Sequence, residues 1–213
     1  PYAHICHRDA ENDIASPLVP SSQGDIYQRY NVKLKDGVDV ILGGGKRQFL
    51  PKDQGGERID QRNLIAEMQQ AGYRVVYDQT QLSQMKLGKN EKLLGLFNTS
   101  NLSYDLNRTK KNLPEPSLKQ MTLAALDILT QNKNGFFLMV EGGRIDHALH
   151  DTNAKRALQD TIALNEALDA TIKKLQQSDP ELKNTLIVIT ADHDHTLILN
   201  GYAKRTGKYV QGQ

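Results

Sequence analysis

The stretch that decides the fold is 136-FFLMVEGGRIDHALH-150. Five consecutive apolar residues, Phe136 to Val140, break into a glutamate, two glycines and then Asp146, His147 and His150. A run that is apolar at every position suits a strand covered on both faces. Charge at the mouth of such a strand costs several kcal/mol unless it is paired or bound to a cation. A second stretch repeats the pattern, 185-TLIVITADHDH-195, an apolar strand running into Asp192, His193 and His195.

Between and before these stretches, strands alternate with helices. DVILGGGKRQF (39–49) reads as a short strand ending in three glycines. RNLIAEMQQAGY (62–73) has helical spacing of Leu64, Ile65 and Met68 and stops at Gly72. RVVYD (74–78) and KLLGLFN (92–98) read as strands, and the polar residues 99–116 as a surface loop. SLKQMTLAALDILTQ (117–131) opens on a Ser cap and has one apolar face. DTNAKRALQDTIALNEALDATIKKLQQ (151–177) reads as a long amphipathic helix. The order predicts an α/β fold, a three-layer sandwich with a largely parallel central sheet and helices on both faces. No internal repeat or low-complexity segment interrupts it.

The bulk numbers exclude some classes. The chain has 213 residues, 24% of them charged, and a net charge of +2. That balance gives no electrostatic reason for a nucleic-acid partner. No apolar run reaches the ~18 residues that a membrane span requires. The lone Cys6 cannot form an internal disulfide. The chain opens on PYAHICHRD and closes on GYAKRTGKYVQGQ. Neither end looks like the edge of a domain, so the expectation is one domain over 1–213, truncated at both ends.

In a sheet of this kind, ligands bind beyond the carboxyl ends of the strands. Carboxylates together with imidazoles suit zinc, and a carboxylate without imidazole suits magnesium. If a helix begins near Arg144, Asp146 and His150 fall on one face, close enough to share an ion. Each pair alone reads more naturally as a solvated surface pair. The coincidence of two such clusters at two apolar strand ends favours metal.

VEGGRIDHALH, then RAL, then ADHDH, resembles the alkaline phosphatase family. YAHICHRD, DVILGGGKRQF, LLGLF, PSLKQMTLAALDIL and IVITADHDH support it, in the family's order and over nearly the whole chain. The resemblance implies a phosphomonoesterase acting through a phosphoserine at a two-zinc, one-magnesium site. It implies magnesium at Glu141, one zinc on Asp146 and His150, and a second zinc on Asp192 and His193. Arg8 matches the arginine that grips phosphate, and His147 a position near phosphate and magnesium. His195 matches a residue that orients a metal-bound carboxylate. His4, His7 and Asp194 are read as structural.

The same resemblance puts the nucleophilic serine, the bridging aspartate and a hydroxyl ligand of the magnesium before Pro1. It puts a further zinc histidine near the family's C-terminus, and none follows His195 here. The chain alone is therefore expected to be inactive. Asn98 stands where eukaryotic members carry an acid of a calcium site, while Glu115 is retained, so that site is not carried over. The resemblance also implies phosphate monoester substrates, a homodimer when complete, and a periplasmic or secreted location. The rival readings are a non-catalytic fragment or scaffold with a partial metal site, and a related phosphomutase or sulfatase.

Overall fold

A computed structural model describes residues 38–198 apart from Ile59, Leu87, Lys89 and Asn90. Arg8, His4, His7 and Cys6 lie outside the described residues.

Three parallel strands form one sheet in the order β1-β3-β2: β1 Val40–Gly43, β2 Tyr73–Val76 and β3 Lys92–Leu96. Val40 pairs with Leu93, and Tyr73 with Lys92. The central strand is apolar on both faces because both are covered. On one face Ile41, Leu94 and Leu96 meet Phe49 and Leu64, Ile65 and Met68 of α1 (Leu64–Gln70). On the other, Val40, Leu42, Leu93 and Val76 meet Leu82 of α2 (Gln79–Gln84) and Met121, Ala124, Ala125 and Ile128 of α4 (Leu118–Leu129). This is the expected α/β layering.

The helices begin where local chemistry starts them. Asn63 and Asp78 accept backbone N–H bonds at the heads of α1 and α2. Ser117 and Gln120 form a capping box on α4. The glycines after β1 have a packing reason as well. A Cβ on Gly44 would lie 2.3 Å from the Ser100 carbonyl oxygen, so the loop after β3 can seat against it only if residue 44 is glycine. Gly45 N–H then donates to Ser100 O at 2.7 Å.

Residues 99–116 are not the surface loop that their polarity suggests. They contain α3 (Asp105–Lys110), and Leu102, Tyr104 and Glu115 are buried. Glu115 is 5% exposed. It accepts from Asn98 Nδ2 (2.6 Å), Ser103 N–H (2.8 Å) and Ser103 Oγ (3.0 Å), so the carboxylate is satisfied internally.

The main correction concerns the two apolar stretches. Residues 136–140 and 185–190 are not strands, and among the described residues neither pairs with the sheet. Phe137 and Leu186 are each 87% exposed. A strand exists only through a ladder partner. An apolar run states that a segment would be buried, but not what would cover it.

Among the described residues the remaining α-helices are α5 (Arg144–His150) and α6 (Ala154–Leu175). The long α6 is the platform on which α3, α4 and α5 pack. Among the described residues no helix is long and apolar enough to cross a membrane.

Candidate metal centre

The turn into α5 is tight for a steric reason. A Cβ on Gly142 would meet Leu164 Cδ2 at 3.1 Å and Ile145 Cδ1 at 3.0 Å, so its absence lets the chain approach α6 closely. The helix then starts at Arg144, and Asp146 and His150 share its face, one turn apart.

Asp146 is the centre of the site. Its Oδ1 is buried and has no hydrogen-bond partner among the described residues. Three imidazole nitrogens surround that oxygen: His195 Nε2 at 3.3 Å, His150 Nε2 at 3.4 Å and His193 Nε2 at 3.8 Å. Two ligands about 2.0 Å from one tetrahedral zinc stand about 3.3 Å apart. The Asp146 spacings to His150 and His195 are therefore those of donors sharing an ion. The donor atoms of Asp146, His150 and His195 all lie within 4.8 Å of one another. The His150 and His195 rings meet edge to face at 4.5 Å.

His193 is arranged for ligation through Nε2. Its Nδ1 lies 2.8 Å from the Asp194 carbonyl oxygen, which fixes the proton on Nδ1 and leaves the Nε2 lone pair outward. That hydrogen bond, and then the Asp192 and Asp146 carboxylates, raise the His193 pKa above its ordinary value. Asp192 is well exposed, with Oδ2 3.4 Å from His193 Nε2. The pair Asp192 and His193 thus stands beside the first cluster but more openly.

Glu141 supplies the third carboxylate. Burial pushes its pKa up, and the negative charges of Asp192 and Asp146 push it further. Like charges gathered at a half-buried point are an arrangement a cation would relieve.

His147 is engaged differently. Arg144 Nη1 lies 2.6 Å from its Nδ1. A guanidinium can only donate, so Nδ1 accepts and the neutral ring carries its proton on Nε2. That tautomer offers an N–H to an anion, not a lone pair to a metal.

The support around α5 was not evident in the sequence. Asp160, on α6, is buried and accepts from the Asp105 backbone N–H at the head of α3, with both oxygens at 3.3 Å. Burial, more than the nearby Asp105 charge, raises its pKa to about 6 from an ordinary 3.8. The folded protein therefore holds a proton there that the unfolded chain loses as pH rises through 4 to 6, so this group's contribution to stability falls across that window. Asp160→Asn is expected to remove the fall. Relative to the parent, the variant should gain at most about 3 kcal/mol between pH 4 and 7. Denaturant titrations of both proteins across that range measure the difference, and parallel curves would contradict the assignment.

The chain is similar to known proteins over nearly all of its length. A family model described as alkaline phosphatase matches residues 1–213. The tissue-nonspecific alkaline phosphatase isozyme of Rattus norvegicus is 38% identical over 222 residues, covering 96% of this chain and 41% of the relative. Alkaline phosphatase 4 of Bacillus subtilis is 41% identical over 167 residues, covering 78% of this chain and 32% of the relative. The crystal structure of Thermus thermophilus alkaline phosphatase matches with a TM-score of 0.64 and 34% identity, over 80% of this chain and 31% of that one. The chain thus spans about two fifths of the rat relative's length.

Proposed function

The chain belongs to the alkaline phosphatase family, and from that premise we propose that it carries the cation-binding part of a metal-dependent phosphomonoesterase. The observation that carries this reading is the buried Asp146 Oδ1, with no hydrogen bond among the described residues and three imidazole nitrogens within 3.8 Å. A scaffold has no use for such an arrangement, since a buried carboxylate oxygen left without a hydrogen bond costs stability. The phosphomutase and sulfatase readings are not favoured by the alkaline phosphatases that the chain resembles.

Asp146 and His150 would hold one zinc, Asp192 and His193 a second, and Glu141 a magnesium. Bound at these positions, the ions would supply charge stabilisation for the attacking and leaving oxygens of a phosphoryl transfer. His195, with Nε2 3.3 Å from Asp146 Oδ1, would orient that carboxylate from beside it. The His147 Nε2–H would donate to a phosphate oxygen. Arg8, outside the described residues, would grip two phosphate oxygens through its guanidinium fork.

The nucleophilic serine is assigned to chain preceding Pro1, within a single phosphatase domain of which 1–213 is one part. The apolar stretches 136–140 and 185–190 would be covered in that complete domain. A phosphate monoester substrate, a homodimer and a location outside the cytoplasm belong to the same reading.

The test is p-nitrophenyl phosphate turnover at alkaline pH by the complete protein, before and after a chelator. Activity should fall to background on chelation and return with zinc plus magnesium. Full activity after exhaustive chelation, or none with both metals supplied, would overturn the reading.

A further inference from the structure

Resting on the reading of α5 as the metal-bearing helix, we infer that Tyr104 is its positioning residue, holding it at both ends. α5 has seven residues, too few to be stable by itself in water, and Gly143 at its head offers no side-chain cap. Its place must therefore come from tertiary contacts. Tyr104 stands just before α3 and is 7% exposed.

One side chain meets the whole length of the helix. The Arg144 guanidinium, at the first residue of α5, lies over the Tyr104 ring, with Cζ 3.9 Å from the centroid. In the middle, Ala148 is fully buried in a small cluster with Tyr104 and Ala157. At the far end the Tyr104 hydroxyl donates to Asp151 Oδ2 at 2.8 Å. Asp151 closes α5 through its own N–H to His147 O at 3.0 Å. The Arg156 guanidinium also lies over the ring, at 4.5 Å, and pairs with Asp151 Oδ2 at 3.8 Å.

Tyr104 touches neither Asp146 nor His150 in any of these contacts. It acts through the helix backbone, and through Arg144 on the orientation of His147. Burial, then the Asp151 hydrogen bond, raise the Tyr104 pKa. The hydroxyl so remains a donor into the alkaline range.

The experiment compares Tyr104→Phe and Tyr104→Leu with the parent protein, using Zn(II) competition titrations, the visible d–d spectrum of the Co(II)-loaded form, and thermal unfolding without metal. Tyr104→Leu should weaken Zn(II) binding several-fold, less than the roughly 10–100-fold lost with partners bonded directly to a ligand. It should also alter the Co(II) band. Tyr104→Phe keeps the ring and loses only the Asp151 bond, so it should lie between.

A residue that merely stabilised the fold would lower the unfolding temperature and leave the Zn(II) affinity and Co(II) spectrum of the folded protein unchanged. That result overturns the inference. If Tyr104→Leu does not fold, Tyr104→Phe decides: wild-type affinity and spectrum overturn the inference, and a shift in both supports it. A parent protein that binds neither ion refutes the metal reading itself, and the inference falls with it. Parent binding with unaffected variants refutes Tyr104 alone.

Discussion

Asp146→Asn is expected to abolish zinc binding at the α5 cluster and, with it, phosphate monoester turnover by the complete protein. Substituting a partner one step removed from a metal costs about 10–100-fold in affinity or activity. Asp146 is the oxygen on which three imidazoles converge, at 3.3, 3.4 and 3.8 Å, so its loss should exceed that range. The isosteric amide keeps the shape of the site and removes the charge that attracts the cation.

The metal-free protein should respond in the opposite sense. Asp146 Oδ1 is buried without a hydrogen bond among the described residues, and removing the charge from a buried oxygen without a hydrogen bond relieves the folded state. Competition titration with zinc and unfolding of the chelated protein measure the two effects. Unchanged zinc affinity would refute the ligand assignment. A sharply destabilised metal-free variant would show that Asp146 is structural.

The second large effect is expected in the core, with the site untouched. Leu94 is fully buried in the central strand, packed with Ile41, Phe49, Leu64 and Met68. Leu94→Ala should destabilise the protein by about 2–5 kcal/mol, the transfer loss plus the cavity left behind. For a protein of this size that lowers the unfolding temperature by roughly 4–20 °C. Leu94 packs on the α1 face, whereas Asp146, His150 and their support pack through α5 and α6. The folded fraction should therefore bind zinc as the parent does. A loss below about 1 kcal/mol would mean the sheet repacks around the gap, and weakened zinc binding by folded molecules would mean the two regions are coupled.

The parts of the fold legible in the sequence were those specified by short-range periodicity. The helical spacing of Leu64, Ile65 and Met68, the Ser117 cap and the amphipathic run to Leu175 all correspond to helices. The four-residue interval from Asp146 to His150 required only that a helix start at Arg144, which it does. Polarity misled at 99–116. Glu115 and Tyr104 are buried because Asn98, Ser103, Asp151 and two arginines satisfy them, the partners of Tyr104 coming from distant sequence.

By itself the sequence determined which residue types are candidates for the chemistry and which local elements present them, because caps, helical faces and an i,i+4 interval depend on neighbours along the chain. Only the tertiary structure brought His193 and His195 to Asp146, across 47 and 49 residues. It also left 136–140 and 185–190 without ladder partners among the described residues. Which group meets which at long range follows from how α5 docks on α6 and Tyr104. That docking is a sum of buried contacts, and no single segment encodes it.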